Sequence, residues 1–131
     1  YTCTDTLSLH DALPISCVDI TNPKVIRATM GSVYRIPFLY VEDVVSLKQQ
    51  LQDRGIRFFA AHLQGKNSYD REDYRGGTAF LIGNEGKGLT EQAAEAADCL
   101  IRIQMCGQVE SLNAAMAAGI LMYEASRQRR N

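Results

Sequence analysis

The sequence predicts an α/β domain in which a parallel sheet is covered by helices on both faces. Short apolar segments alternate with helical periods along residues 17–131. The strand candidates are almost continuously apolar, which is typical of parallel strands buried on both faces. With 131 residues, 46% of them hydrophobic, the chain can form one core, and the 22% of charged residues excludes a disordered chain. Since the apolar runs are shorter than the ~18–20 residues that cross a bilayer, no membrane span is predicted.

The first half of the chain predicts two helices and a short strand. Asn22 is a favourable N-cap residue, and Pro23 occupies the first position of the helix that follows. The apolar run 38–41 predicts a strand. Apolar residues at helical spacing over 44–51 predict a second helix, which ends before Gly55, a typical residue after a helix C-terminus.

The middle of the chain predicts a strand, a loop and another strand. Residues 56–63 read as a buried strand, and His62 is interpreted as a hydrogen-bonded core histidine rather than as a base. The polar segment 65–77 predicts a long exposed loop. Residues 78–82 predict the next strand.

The last part of the chain completes the alternation. Thr90 can cap a helix that runs through Ala97, and residues 99–103 predict a strand. A polar loop over 104–110 then leads to an alanine-rich helix over 111–127. Ligands of parallel α/β sheets bind at the carboxyl ends of the strands, so the loops at that edge are the candidates for chemistry.

The first candidate loop is the glycine-rich segment 83–88, GNEGKG, which directly follows a predicted strand. Glycine allows tight turns and close approach of the backbone to a ligand. The spacing does not match a Walker loop, and Glu85 breaks the dinucleotide motif GxGxxG. The functional interpretation is a ligand loop for hydroxyls or positive charge. The alternative is a tight turn that needs glycine only for its geometry.

The second candidate loop is the segment 108–113, QVESLN, at the start of the last predicted helix. Ser111 and Asn113 could cap that helix, or they could bind a ligand in the crevice that the glycine loop borders. The small residues that follow would let the helix pack closely against its neighbours. An ordinary capped and buried helix is the alternative.

Two of these segments together resemble a known family. The run FLIGNEGKGL at 80–89 and the run GQVESLNAAMAAGILMYEA at 107–125 are similar to the second and third motifs of the SpoU/TrmH family of RNA ribose 2′-O-methyltransferases, in the SPOUT superfamily. The stretch 22–38 resembles the helix that precedes them. The resemblance implies a SPOUT-type α/β fold with a C-terminal trefoil knot. It also implies S-adenosyl-L-methionine as cofactor, rRNA or tRNA as substrate, a cytoplasmic homodimer, and neither metal nor membrane as partner.

The resemblance also assigns roles to residues. It places Glu85, Ser111 and Asn113 near the reacting ribose, as the catalytic candidates. The positions that it matches to cofactor-binding residues are Gly83, Asn84, Glu85, Gly86, Ile103, Met105 and Leu112.

The chain departs from the family in one motif. The first family motif, NxGxxxR, supplies a basic residue and occurs nowhere in this sequence. Residues 1–16 resemble the translation of a sequencing-library adapter, and an ordinary N-terminal strand and loop is the alternative. We therefore expect residues 17–131 to be a partial methyltransferase domain that has lost its first motif, and we expect this chain to have little methyltransferase activity.

Charge and cysteine usage limit the other functions. The formal net charge is −1, so a nucleic-acid role needs a local basic patch. The four cysteines form no CxxC pair and no zinc pattern, and we expect free thiols and no metal site. Two alternative functions stay open. One is a non-catalytic S-adenosylmethionine- or RNA-binding module on the same fold, and the other is an unrelated nucleotide-binding α/β enzyme, which would prefer ATP or NAD.

Overall fold

A computed structural model describes residues 19–41, 43–84, 88–106 and 111–130 of the chain. Its centre is a four-stranded sheet in the order β2-β4-β1-β3, and every neighbouring pair of strands is parallel. The strands are β1 (Arg57–Ala61), β2 (Asn67–Ser68), β3 (Thr78–Leu81) and β4 (Cys99–Arg102). The helices are α1 (Pro23–Ala28), α2 (Val44–Gln52), α3 (Glu91–Ala96) and α4 (Ala114–Arg130), with 3-10 turns at Ser32–Tyr34 and Tyr69–Arg71.

Two helices, α1 and α3, start where capping residues predict them. The Asn22 side chain accepts a hydrogen bond from the Lys24 backbone N–H at 2.9 Å. The Thr90 hydroxyl oxygen accepts one from the Ala93 N–H at 3.2 Å. Gly55 adopts φ +66°, as expected for a residue that follows the end of α2.

The sheet separates two small cores. Phe58 faces one side and packs with Leu47 and Leu51 of α2, and part of α3 joins this core. Phe59 faces the other side and packs with Leu121 of α4. Both phenylalanines are fully buried because β1 is a central strand with helices over each face. The predicted fold class is therefore confirmed, whereas the trefoil knot stays a prediction.

Two predictions about secondary structure are wrong. Residues 38–41 form none of the four described strands: Phe38 has only a single bridge pairing, Leu39 and Tyr40 are exposed, and Val41 packs against the core that contains Phe58. The segment 65–77 is more than an exposed loop, since it contains β2, which pairs with β4 at the edge of the sheet. It also contains Tyr74, which is fully buried against Phe59 with ring centroids 4.9 Å apart.

The last helix begins later than predicted, at Ala114 rather than at residue 111.

Across the described parts of the chain, no helix has both the length and the apolar character that crossing a membrane requires.

Candidate functional site

A cleft lies at the carboxyl ends of β4, β1 and β3. These three strands are neighbours in the sheet, so the segments that follow them converge at one edge. The cleft has a volume of about 460 Å³, and the first part of α4 closes one side of it. This volume is within the range of small-molecule sites, and the position is the one that the parallel topology predicts.

The segment after β3 contributes the glycine loop. Asn84 and Gly88 pair across it, since the Asn84 N–H donates to the Gly88 carbonyl at 3.2 Å and the Gly88 N–H donates back at 3.0 Å. A Cβ atom at Gly83 would lie 2.2 Å from the carbonyl carbon of Gly88 and 2.3 Å from the backbone nitrogen of Leu89. Gly83 therefore allows the two ends of the loop to touch, which shapes the wall of the cleft.

The segment after β4 and the start of α4 form the opposite wall. Ile103 and Met105 follow β4, and Ser111 and Leu112 precede α4. Ala117 of α4 also lines the cleft. Its small side chain leaves room beside the helix, whereas the sequence predicts close packing at the small residues of this helix.

Asn113 makes the capping contacts that were one of its two predicted uses. Its side-chain oxygen accepts hydrogen bonds from the N–H groups of Ala115 at 3.0 Å and Met116 at 3.3 Å. Asn113 is thus the N-cap of α4, and it is not among the described residues that line the cleft. The sequence left both uses open, and this geometry gives the side chain a structural one.

The cleft brings together most of the predicted cofactor positions. Glu85 and Gly86, two of the predicted residues, lie outside the described residues. The predicted residues that line the cleft are Gly83, Asn84, Ile103, Met105, Ser111 and Leu112. These six residues come from three separate segments of the chain.

The sequence missed the contribution of the segment after β1. Leu63 and Gln64 line the cleft, and so does His62, which was interpreted as a core residue. His62 is half-buried and follows the last residue of β1. Its backbone N–H donates to the Ile101 carbonyl at 2.9 Å, and its Nδ1 accepts from the Gln64 N–H at 3.1 Å. Its position at the carboxyl end of a central strand is the signal that could have identified it.

The chemistry of the cleft is that of a site for a mixed polar and apolar ligand. Its walls are mainly aliphatic, with polar groups from His62, Asn84 and Ser111. Arg102, at the end of β4, adds a cation, and no carboxylate is among the described lining residues. Within the described ranges, no group of three or more histidine, cysteine or acidic side chains could hold a metal ion.

The fold and the cleft define an α/β protein with a cleft of small-molecule size at the carboxyl ends of its parallel strands. Comparison with known protein families shows to which family this α/β chain belongs. The family described as the SpoU rRNA Methylase family matches residues 4–123. The chain belongs to this family.

Individual relatives agree with the family. The 23S rRNA (guanosine-2′-O-)-methyltransferase RlmB of Ralstonia nicotianae is 32% identical over 108 residues, which are 82% of this chain and 43% of that protein. The SpoU methyltransferase AviRb from Streptomyces viridochromogenes, solved in complex with AdoMet, superposes with a TM-score of 0.84 at 30% identity, covering 92% of this chain and 50% of AviRb. An AdoMet-bound rRNA methyltransferase from Sinorhizobium meliloti superposes with a TM-score of 0.80 at 33% identity, covering 90% of this chain and 46% of that protein. The chain thus spans at most half the length of each of these proteins.

Proposed function

We propose that this chain is the cofactor-binding part of an S-adenosylmethionine-dependent enzyme that methylates a ribose 2′-hydroxyl of rRNA or tRNA. The observation that carries the proposal is the cleft at the carboxyl ends of β4, β1 and β3. It gathers five of the residues that the family resemblance matches to cofactor binding, together with the catalytic candidate Ser111, although these residues are distant in sequence. A role on such RNA would place the protein in the cytoplasm.

The lining of the cleft suits S-adenosylmethionine. Aliphatic side chains such as Ile103 and Leu112 would hold the apolar faces of the adenine. The Arg102 guanidinium would attract the carboxylate of the cofactor, since charge-assisted hydrogen bonds to carboxylates are strong. When bound, S-adenosylmethionine supplies an electrophilic methyl group.

The chain's own residues would align the reacting groups. Methyl transfer to a hydroxyl depends mainly on placing the attacking oxygen in line with the methyl group. Ser111 is exposed at the cleft and can hydrogen-bond a ribose or the cofactor. Asn113 would act through its capping bonds, which fix the backbone of the segment that carries Ser111.

The arginine of the motif NxGxxxR is missing from the 131 residues. We therefore expect this chain to bind S-adenosylmethionine and to transfer methyl groups to RNA slowly or not at all. A longer form that contains the motif should be active, since a basic group lowers the cost of the developing alkoxide. Cofactor and RNA binding by that longer form without turnover would favour the non-catalytic module instead.

Cofactor binding is tested directly by thermal unfolding of the 131-residue chain. A ligand present at about 100 times its Kd stabilises the folded state by about 2.7 kcal/mol, so S-adenosylmethionine should raise the melting temperature. ATP and NAD at equal concentration should not. A larger shift with either nucleotide would contradict the proposal and favour the unrelated nucleotide-binding enzyme.

A pair of leucine variants locates the binding. Leu63 lines the cleft and is 57% exposed, whereas Leu39 is 61% exposed and lies elsewhere. Leu63→Glu should abolish the shift with S-adenosylmethionine, because it puts a carboxylate against the apolar wall. Leu39→Glu should leave the shift intact. Equal shifts in the two variants would place the cofactor outside this cleft.

We also propose that the protein forms a homodimer through α4. Met116, Met122 and Tyr123 of this helix are 60%, 42% and 67% exposed, and such an apolar surface favours burial against a second copy. Sedimentation equilibrium should give a dimer for the wild type and a monomer for Tyr123→Glu. A wild-type monomer at every concentration would refute this part of the proposal.

A further inference from the structure

Three exposed cations lie on the segment 20–41, which we call the basic aromatic segment and which Asp19, Glu42 and Asp43 flank. It contains Lys24, Arg27 and Arg35 and no acidic residue, whereas the whole chain carries a net charge of −1. All three cations are exposed, and none forms a salt bridge with another described residue. Their charge is therefore available to an anionic partner.

The same segment exposes large aromatic side chains. Tyr34 is 71% exposed, Tyr40 is 51% exposed and Phe38 is 44% exposed. The rings of Phe38 and Tyr40 contact each other edge to face, with centroids 5.9 Å apart. Exposed aromatic rings close together mark interaction sites more often than isolated ones do.

The basic aromatic segment folds back on itself. The Ile20 backbone N–H donates to the Tyr40 hydroxyl at 3.2 Å, so the two ends of the segment meet. Lys24 and Arg27 are three residues apart on α1, so they lie on the same face of a six-residue helix that is only about 9 Å long. Met30 and Gly31 both have positive φ, and this turn reverses the chain between α1 and the first 3-10 turn.

We infer that the basic aromatic segment binds single-stranded RNA, with its cations on phosphates and its exposed rings stacked on bases. Phosphate contacts need unpaired cations, and single-stranded bases stack on exposed aromatic rings. A protein partner that binds only through apolar contacts would not use the three cations. Single-stranded RNA can bind the cations through its phosphates and the aromatic rings through its bases. The inference rests on the proposed function, because a ribose methyltransferase must hold its RNA substrate.

The charge contribution is measured by fluorescence anisotropy of the full chain with a labelled single-stranded RNA of mixed sequence over a series of salt concentrations. Each cation that contacts a phosphate of single-stranded RNA adds about 0.7 to the slope of log K against log salt. The double variant Arg27→Ala with Arg35→Ala should therefore lower this slope by about 1.4. The control is Lys66→Ala with Arg71→Ala, which removes two exposed cations from another part of the surface and should leave the slope unchanged.

The ring contribution is measured with variants of Tyr34, which is too exposed to matter for folding. Tyr34→Ala should weaken RNA binding by roughly 5- to 150-fold, because a stacked base is lost. Tyr34→Phe keeps the ring and should bind RNA as the wild type does. All of these variants should keep the melting shift with S-adenosylmethionine.

Three results would overturn the inference. The first is absence of RNA binding by the wild-type chain. The second is equal salt slopes for the two double variants. The third is self-association of the wild type that Tyr34→Ala abolishes while RNA affinity is unchanged, since the segment would then be a protein interface. Absence of a melting shift with S-adenosylmethionine in the wild type would be a separate result, and it would refute the proposed function.

Discussion

Replacing Gly83 by alanine tests whether the glycine loop shapes the cleft. The new Cβ would lie 2.2 Å from the Gly88 carbonyl carbon and 2.3 Å from the Leu89 nitrogen, and both are backbone atoms. Ordinary contact between carbon atoms needs at least 3.4 Å, so the two ends of the loop must separate by about 1.2 Å. That movement breaks the two backbone hydrogen bonds that join Asn84 and Gly88.

The expected cost follows from those two hydrogen bonds. At 0.5–1.5 kcal/mol each, their loss lowers the free energy of unfolding by roughly 1–3 kcal/mol. For a domain of this size, the melting temperature then falls by roughly 3–6 °C per kcal/mol. The open loop should also weaken S-adenosylmethionine binding, since Gly83 and Asn84 form one wall of the cleft.

Circular dichroism during thermal unfolding, with and without S-adenosylmethionine, measures both effects. Gly76→Ala is the matched control, because a Cβ at Gly76 meets no atom within 4 Å. It should melt as the wild type does and keep the shift with the cofactor. If Gly83→Ala behaves in the same way as Gly76→Ala, the close approach does not hold the loop, and this reasoning is wrong.

Three further predictions concern α4. Leu121→Ala should lower the free energy of unfolding in urea by about 2–5 kcal/mol, since this side chain is fully buried, whereas the control Val45→Ala on α2, where the side chain is 45% exposed, should cost less than about 1 kcal/mol. Hydrogen bonds from Arg127 lower the pKa of Glu124 from 4.5 to about 2. The ionised Glu124 carboxylate therefore stabilises the folded state fully above pH 4.5, and this stabilisation is lost as the pH falls towards 2. In urea titrations over this pH range, Glu124→Gln should lack that part of the pH dependence. Asn113→Ala should lose about 0.5–2 kcal/mol of stability, while Asn113→Asp keeps a capping acceptor and should unfold as the wild type does.

Local signals in the sequence predicted the local structure well. Asn22 and Thr90 cap the helices that they were expected to cap, because a capping bond forms within three residues of the cap. The apolar patterns around β1, β3 and β4 also identified these strands to within a few residues. Their parallel arrangement followed from the alternation of strands and helices.

Features that depend on distant partners were missed. The two residues of β2 form a strand only because β4, more than thirty positions later, offers an unpaired edge. Tyr74 lies in a polar segment, and its burial depends on Phe59 and on Gln128 of α4, whose side-chain oxygen accepts from the Tyr74 N–H at 2.9 Å. No pattern within the segment 65–77 contains that information.

The site shows the same division between local and distant causes. Six of the predicted site residues line one cleft. His62 also lines it, but this contact depends on the pairing of β1 with β4 in the sheet. The two segments that resemble family motifs contain both structural residues and residues exposed at the cleft. Asn113 caps α4 and Gly83 lets the ends of the glycine loop touch, whereas the Ser111 side chain is exposed at the cleft. In a longer form that contains the motif NxGxxxR, loss of RNA methylation therefore identifies a catalytic residue only when the melting temperature is unchanged, a condition that we expect Ser111→Ala to meet and Gly83→Ala to fail.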